Sequence, residues 1–329
     1  MPRKSIRTDT KKPTIYDVAK LAQVSAGTVS RALNKKGSVN SKTRQRILKA
    51  AQDLDLKPGS SAGIKIVAII DEPSYSDRIE GYAATLSTHL SFALAEQGIA
   101  VIQPSDPLKQ LNELFLDGVI AVTYHKEIKE RISKLEKKMP VIYLDKFNLG
   151  PGQYAVCSDH HQAGYVAAKH LIESGKNKPG FYAFNDTPFL VRLKGFKEAL
   201  VEHGYKITPN YYSMRAVHDN AYSSIAKLTR NGCDGIYVPG ASLQALDAMH
   251  ILQYVMGIKI PDEISIIGGE NDGISQSLTP PLTTVEEPLK EMAQKAVDMF
   301  CQLSSGQEPE KKVVTLPVKI RERSSVSHT

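Results

Sequence analysis

The sequence of 329 residues has no tryptophan, only three cysteines and no apolar run long enough to cross a membrane. Cys157, Cys233 and Cys301 lie far apart and show neither CxxC nor mixed Cys/His spacing, which predicts small buried side chains in a reducing compartment. The basic start MPRKSIRTDTKK is not followed by the apolar segment of a secretory signal. We therefore expect a cytoplasmic protein with no membrane partner.

Common catalytic and cofactor motifs are also missing. The chain has no Gly-x-x-x-x-Gly-Lys-Ser/Thr phosphate loop, and Gly268-Gly269 lacks the spaced third glycine of a dinucleotide site. The adjacent His160 and His161 would point to different sides of a helix, and no third ligand stands at a suitable spacing. An acid–base pair could come only from Asp159 and Glu270, with nothing to position a nucleophile. We expect no enzyme activity, no metal and no cofactor.

Charge is divided unevenly along the chain. Residues 1–65 hold 15 of the 42 Lys and Arg and 4 of the 35 Asp and Glu, which gives this part a net charge of +11. The remaining residues hold 27 basic and 31 acidic side chains, so their net charge is −4. A basic head on a mildly acidic body indicates a polyanionic partner for the head alone.

The segment TIYDVAKLAQVSAGTVSRALN, from Thr14 to Asn34, has the pattern of two short helices joined by a tight turn. Thr14 and Asp17 form a weak capping box, and Ser25 is a candidate N-cap for the second helix. The pattern predicts a helix-turn-helix with an inward apolar face and a small polar outer face, although it also fits a plain surface hairpin. The inward residues are Val18, Ala19, Leu21, Ala22, Val29, Ala32 and Leu33, and the outward ones Ala26, Gly27, Ser30 and Arg31.

A third helix and a linker follow. Asn40 can cap a helix from Ser41 to about Leu54, whose apolar residues recur at helical spacing. We predict a DNA-binding domain over 1–58 with a flexible basic arm at 1–12. A short linker over 59–63, rich in small residues, leads to a larger second domain over 64–329.

From residue 64 onward, short apolar segments alternate with amphipathic segments. Strands are predicted at 64–70, 99–103, 118–122, 141–144, 154–158, 180–184, 234–238, 263–268 and, near the C-terminus, within 312–320. Helices are predicted between them, at 79–97, 126–138, 160–174, 189–203, 220–231, 242–256 and 288–303. This alternation is typical of α/β proteins with parallel sheets and right-handed crossovers.

Residues 14–58 resemble, without a gap, the DNA-binding head of the LacI/GalR (lactose-repressor-like) transcriptional regulators, and weaker similarity continues through most of the chain. The resemblance implies a three-helix helix-turn-helix head on a two-lobed, periplasmic-binding-protein-like body of parallel sheets. On that analogy lobe one comprises about 64–175 and 287–305, and lobe two about 178–285 and 306–329. Three crossovers would then form the hinge of a cleft.

The resemblance also implies a repressor that binds a pseudo-palindromic double-stranded DNA operator as a homodimer, with the dimer surface mainly on lobe one. Ala26, Gly27 and Arg31 would face base edges, with Arg31 the best candidate to bind guanine. The family's contacts to the DNA backbone fall on Thr14, Tyr16, Ser25, Thr28, Ser30, Asn34, Asn40 and Thr43.

The chain departs from the family pattern in the linker and at the turn of the head. Gly59 replaces the asparagine of the usual hinge helix, Lys65 falls near the position of its leucine, and several residues are missing. We therefore expect no full hinge helix and no leucine wedge in the minor groove. Gln23 replaces the glycine usual at the turn, which costs about 1 kcal/mol if its φ is positive.

The resemblance implies a small-molecule effector, such as a sugar or sugar derivative, in the cleft. Asp159, in the segment that matches the family's Asp-Asn-x-x-Gly, and Arg192, in its Arg-x-x-Gly-Phe, would reach it. Tyr75, Tyr222 and Glu270 complete the candidates. However, Asp159 also fits a helix cap, and Ala241 and Ser242 stand where relatives carry Asn-Asp. There are two alternatives. The protein is a regulator with a vestigial pocket that is controlled by a protein partner, or it is a small-molecule-binding protein or enzyme with the same fold.

Overall fold

The computed structural model describes residues 13–33, 39–54, 56, 65–71, 81–111, 114, 116–122, 126–146, 148–216, 219–240, 243–270 and 273–328. The predictions made for the arm 1–12, Asn34, the linker 59–63, Tyr75, Ala241 and Ser242 lie outside these residues. Within the described part of the chain, no helix is both long and apolar enough to span a bilayer.

The head consists of three helices, α1 (Ile15–Leu21), α2 (Ala26–Leu33) and α3 (Ser41–Asp53). Val18, Val29 and Ile47, one from each helix, are completely buried at its centre. Leu21 was predicted to face inward, but it is 52% exposed. The reason is that Val18, Ala19 and Ala22 fill the inward face of α1, which leaves Leu21, the last residue of the helix, at the surface.

Side chains cap the helices of the head as the sequence predicted. The Thr14 amide donates to Asp17 Oδ2 at 2.8 Å at the start of α1. Ser25 Oγ accepts from the Thr28 amide at 3.1 Å, and Asn40 Oδ1 accepts from the Thr43 amide at 2.8 Å. Each such cap stabilises a helix by about 1 kcal/mol.

The body contains two parallel sheets with helices on their faces. The elements of its first part are β1 (Ile66–Asp71), α4 (Gly81–Glu96), β2 (Ala100–Ile102), α5 (Pro107–Gln110), β3 (Gly118–Val122), α6 (Lys126–Leu135), β4 (Val141–Leu144) and β5 (Tyr154–Ser158). Those of its second part are α7 (His160–Glu173), β6 (Pro179–Phe184), α8 (Thr187–Glu202), β7 (Tyr212–Arg215), α9 (Ala221–Arg230), β8 (Gly235–Val238), α10 (Gln244–His250), β9 (Ser265–Gly269), β10 (Thr283–Glu286), α11 (Leu289–Ser304), β11 (Val313–Leu316) and β12 (Lys319–Arg321).

Lobe one is built on a sheet with the strand order β11-β5-β4-β3-β1-β2, in which all pairs are parallel. Its central strands β3 and β4 are buried on both faces, and α4 and α11 pack together over one face of the sheet. Lobe two has the order β12-β10-β9-β8-β6-β7, with only the β10–β12 pair antiparallel. Helices cover both sheets because strands buried on two faces need apolar partners on each side.

The chain changes lobe between β5 and α7, between β10 and α11, and between β11 and β12. Two of the predicted boundaries differ from this. Helix α7 was assigned to lobe one but packs on the second sheet, where Ala163 and Leu171 join Phe181 in the core. Strand β11 was assigned to lobe two but pairs with β5. Sequence alternation predicts that a helix covers a sheet, not which sheet it covers.

Candidate functional site

Helix α2 presents a small polar face to solvent. Gly27 and Arg31 are exposed, while Ala26 and Ser30 are half-buried. Arg31 lies along its own helix, with Nε donating to the Gly27 carbonyl and Nη2 to Thr28 Oγ1, each at 3.3 Å. A guanidinium held only by exposed groups of this kind can move to another acceptor at little cost.

The predicted backbone-contact residues that the structure describes all lie at the surface of the head. Tyr16 is 71% exposed, and Thr14, Ser25 and Asn40 are exposed as well. Thr28, Ser30 and Thr43 are half-buried. Ser25 and Asn40 each accept a hydrogen bond from a backbone amide of the helix that follows. They therefore mark the N-termini of α2 and α3, where the first amides of a helix have no partner within the helix and point outward.

The turn between α1 and α2 is strained at Gln23. Its φ is 53°, in the left-handed region that favours glycine. A residue with a Cβ pays roughly 1–2 kcal/mol there. The condition stated from the sequence is therefore met, and the head carries this cost at the turn between its first two helices.

Arg192 and Glu287 form a buried ion pair where the lobes meet. Arg192 Nη2 donates to Glu287 Oε1 at 2.6 Å, and the two side chains are 5% and 6% exposed. Arg192 lies on α8 of lobe two, whereas Glu287 lies in the crossover between β10 and α11. Burial would lower the pKa of Arg192, but Glu287, Tyr237, Asp145 and Tyr82 together outweigh burial and raise that pKa. Arg192 Nε is buried and has no hydrogen-bond partner among the described residues.

Asp145 stands beside this pair, immediately after β4. Its φ of 50° is unusual for a residue with a Cβ, and its side chain accepts from the Ser158 amide at 3.0 Å and from the Tyr82 hydroxyl. Burial would raise the pKa of Asp145, but the charge of His160 and the hydrogen bonds from His160, Tyr82 and Ser158 hold it below its ordinary value. The carboxylate is thus fixed in its ionised form.

His160, the first residue of α7, connects Asp145 to Glu287. Its Nε2 lies 3.4 Å from Asp145 Oδ1, and its Nδ1 lies 3.9 Å from Glu287 Oε2. Ser158 Oγ lies 3.3 Å from His160 Nδ1 and donates to Glu287 Oε2 at 2.7 Å. We call Asp145, Ser158, His160, Arg192 and Glu287 the junction cluster.

A cavity of about 600 Å³ opens next to the junction cluster. Its walls come from Thr85 and His89 of α4, from residues 285–291 at the second crossover, and from Glu270 and Arg321 of lobe two. Glu287 contributes both to this cavity and to the junction cluster. The cavity therefore has walls from both lobes.

Glu270 is held by cations of lobe two. Its Oε2 accepts from Arg323 Nη2 at 2.8 Å and from the Thr284 hydroxyl, and Arg321 Nε lies 3.8 Å away. Burial would raise the pKa of Glu270, but the hydrogen bonds from Thr284 and Arg323 outweigh burial and lower it. Glu270 therefore remains an anion at the edge of the cavity.

The predicted effector residues that the structure describes do not form one group. Asp159 caps α7 by accepting the Gln162 amide at 2.8 Å, and Tyr222, 42% exposed, begins α9 beside the cap residue Asn220. Arg192 belongs to the junction cluster and Glu270 to the cavity wall. The roles of the cluster members Asp145, His160 and Glu287 were not predicted from the sequence. Asp145 had a usable signal, because polar residues at the carboxyl ends of parallel strands commonly face a ligand crevice.

Two glycines hold α7 and α8 in direct backbone contact. A Cβ on Gly164 of α7 would lie 1.7 Å from the Arg192 carbonyl, and one on Gly195 of α8 would lie 1.9 Å from the His161 carbonyl. Only residues without a side chain permit this approach. The Arg192 backbone is thereby fixed next to the start of α7, where His160 lies.

Comparisons with known proteins agree with this architecture. Residues 14–59 match the model of bacterial regulatory proteins of the lacI family, and residues 168–326 match that of the periplasmic binding protein-like domain. The chain is 29% identical to the HTH-type transcriptional regulator DegA of Bacillus subtilis, covering 96% of this chain and 98% of DegA. It is 25% identical to the HTH-type transcriptional repressor PurR of Photobacterium profundum, covering 95% and 98%.

Solved structures share the fold. A structure of the lac repressor dimer bound to operator and an anti-inducer superposes with a TM-score of 0.68 at 21% identity, covering 96% of this chain and 100% of that one. A transcriptional regulator CelR–cellobiose complex gives a TM-score of 0.68 at 22% identity, covering 95% and 99%. The chain therefore combines a lacI-family helix-turn-helix head with a periplasmic-binding-protein-like body, and transcriptional regulators are its relatives over nearly its whole length.

Proposed function

We propose that this protein is a cytoplasmic transcriptional repressor, not an enzyme, whose affinity for a DNA operator is set by a small molecule bound between its lobes. The observation that carries the proposal is the face of α2, on which Gly27 and Arg31 are exposed at the surface of a head whose residues 1–65 carry a net charge of +11. A small polar helix face on a basic domain fits the major groove, where Arg binds guanine O6 and N7.

The caps of the head support a second part of the proposal, which is contact with phosphates. Amides at the start of α2 and α3 lie next to Ser25 and Asn40 on the exposed surface. Helix N-termini attract anions because their amides are unpaired and the helix dipole is positive there. Phosphate contacts at these two ends, together with those of the other predicted backbone-contact residues, would fix α2 in the groove.

A homodimer is supported by apolar side chains left at the surface of both lobes. Phe92 on α4 is 67% exposed, and Tyr254, which follows α10, is 75% exposed. Large aromatic residues are favoured at protein interfaces and are costly to expose in a group. A two-fold dimer would also bring two heads to two half-sites of a pseudo-palindromic operator.

The effector site is the cavity together with Arg192. Arg192 Nε offers a buried donor that nothing described accepts, and the cavity offers the carboxylates of Glu270, Glu286 and Glu287. Such a mixture of donors and acceptors suits a polar, hydroxyl-bearing molecule such as a sugar or sugar derivative. Closure of the two lobes on that molecule would change the spacing of the heads. This changes operator affinity only if the molecule binds the DNA-bound and free forms of the protein with different affinities.

Selection of bound fragments from random and genomic DNA by the full-length protein tests the DNA-binding part. We expect a two-fold symmetric consensus, which Arg31→Ala weakens by about 1–3 kcal/mol at one base position per half-site. Lys49→Ala, an exposed residue on α3, is the matched control and should lower affinity for all sequences alike. Enrichment without any consensus would contradict sequence-specific repression.

Thermal unfolding against a panel of sugars and other metabolites tests the effector part. A compound that raises the unfolding midpoint of the wild type should not raise that of the Arg192→Lys variant, because a lysine cannot reproduce the planar guanidinium. Operator affinity is then measured with and without the compound. A compound that binds tightly but leaves operator affinity unchanged would contradict control from the cavity. If no compound of the panel shifts the unfolding midpoint, control by a protein partner is favoured.

A further inference from the structure

We propose that the last residues of α3 dock the head on lobe one of its own chain and so fix the direction in which α2 faces the DNA. Gln52 Nε2 donates to the Leu114 carbonyl at 3.3 Å, and Asp53 Oδ1 lies 3.5 Å from Lys138 Nζ. Gln52 and Leu114 are half-buried, whereas Asp53 and Lys138 are exposed. We call Leu114 and Lys138 the docking surface. A half-buried hydrogen bond with an exposed ion pair beside it therefore joins the head to the body.

The docking surface lies at the amino ends of two neighbouring strands. Leu114 precedes β3, Lys138 precedes β4, and the Val119 amide of β3 donates to the Pro140 carbonyl at 3.1 Å. The two loops therefore adjoin each other, and α3 contacts both of them with consecutive residues. Ligands of parallel sheets bind beyond the opposite, carboxyl ends of the strands. The docked head thus lies at the edge of the lobe-one sheet that faces away from the junction cluster.

The same part of lobe one holds the point at which the chain enters the body. Asp117, which lies with Leu114 in the connection between α5 and β3, accepts from the Ile66 amide on Oδ2 at 2.8 Å. The Asp117 amide in turn donates to the Ile66 carbonyl at 2.7 Å. Ile66 is the first residue of β1, and only residues 54–65 separate it from α3. Both ends of this short segment are therefore held by one connection of lobe one.

Charge selects this end of α3 for the contact. Residues 1–65 carry 15 basic and only 4 acidic side chains, and Asp53 is one of the 4. The end of α6 and the loop after it are basic, with Lys134, Lys137 and Lys138 exposed. Most faces of the head would be repelled by these lysines, so the position of Asp53 determines the orientation of docking. Because an exposed ion pair is weak, reversal of one charge should release the head.

Docking of α3 also determines where α2 points. The three helices of the head share one core, with Val18, Val29 and Ile47 completely buried, so α2 keeps its direction relative to lobe one while α3 is docked. The next step rests on the proposed function, in which two chains form a homodimer on two half-sites. Two docked heads would read half-sites at one spacing only, because each added base pair moves a half-site by about 3.4 Å and rotates it by roughly 35°.

Zero-length cross-linking of the full-length protein by a carbodiimide tests the docking without DNA. The reagent joins a carboxylate to an amine that is in contact with it, and we expect an amide between Asp53 and Lys138 in the digested protein. Lys138→Arg should remove this product, because a guanidinium does not form the amide, whereas Lys137→Arg at the adjacent exposed position should leave it. In a mixture of unlabelled and nitrogen-15-labelled protein, the product should join peptides of one chain. A missing product, or one that joins two chains, would overturn the proposal.

Operators with altered half-site spacing test the effect on DNA binding. One inserted base pair should lower the affinity of the wild type by about tenfold or more, comparable to one mismatched base pair. Asp53→Lys, which sets two cations against each other, should make this loss several-fold smaller, and Asp53→Lys/Lys138→Asp should restore it. Far-UV circular dichroism shows whether each variant is folded. Equal spacing dependence in the wild type and Asp53→Lys would overturn the proposal. Failure to bind DNA at any spacing would contradict the proposed function instead, and the cross-link then decides the docking.

Discussion

Arg192 of lobe two and Glu287 of the second crossover are joined at 2.6 Å with both side chains almost fully buried. A buried pair gains its attraction only by losing the hydration of both ions, so its net contribution is small while either partner alone is costly. The pair therefore acts as a unit, and the consequences of breaking it can be measured.

We expect Arg192→Met to lower the free energy of unfolding by about 3–5 kcal/mol, because it leaves Glu287 as an uncompensated buried anion. The double variant Arg192→Met/Glu287→Leu should regain most of the lost free energy of unfolding, because it no longer carries the unpaired buried carboxylate. Urea denaturation, followed by circular dichroism, measures both variants. A double variant no more stable than the single one would show that packing, rather than charge, dominates at this position.

Gln23→Gly should stabilise the head by about 1 kcal/mol, because glycine adopts a positive φ without a steric penalty. Hydrogen exchange of the α1 and α2 amides in the full-length protein reports this as slower exchange. Lys20→Gly, at an exposed position inside α1, should have the opposite effect and cost about 1 kcal/mol. Faster exchange in Gln23→Gly would mean that its side chain makes a contact worth more than the strain.

Glu270 should make stability depend on pH in the acidic range. Its folded pKa lies below the ordinary value of 4.5, so its contribution is fully present above that value and is lost as the pH falls through the folded pKa. The difference in urea midpoint between the wild type and Glu270→Gln should therefore narrow below about pH 4.5. The exposed Glu310→Gln is the control, and an equally large narrowing with it would contradict the assignment.

Gly164→Ala should destabilise lobe two by about 3 kcal/mol or more, because the new methyl group would overlap the Arg192 carbonyl and the two helices would have to separate. Urea denaturation measures the loss. Gly150→Ala is the control, since its Cβ would lie 3.5 Å from the movable Gln153 side chain and should have little effect. Equal stability of the two variants would indicate that α7 and α8 slide apart easily.

Much of the fold could be predicted from the sequence, because it is encoded locally. Caps at Thr14, Ser25 and Asn40 and the apolar periodicity of α3 define the head, and buried apolar strands define the sheets. The sequence does not encode the partner of each element in the same local way. For this reason α7 and β11 were assigned to the wrong lobe. The four-residue strands β7 and β10 were not predicted at all.

The junction cluster was harder to predict, because its members come from distant parts of the chain. Arg192 was identified through a motif, but its partner Glu287 lies in a crossover with no motif of its own. His160 was judged together with His161, its neighbour in sequence, whereas its actual neighbours are Asp145 and Glu287. Spacing along one helix can reveal a site only when the helix supplies most of the groups.

The close approach of α7 and α8 at Gly164 and Gly195 has a further consequence. Because the backbones of α7 and α8 are in contact there, no side chain lies between the helices at these positions that could rearrange when one helix moves. Helices α7 and α8 are therefore expected to move together, so that a displacement of His160 or Arg192 is passed directly to the other residue.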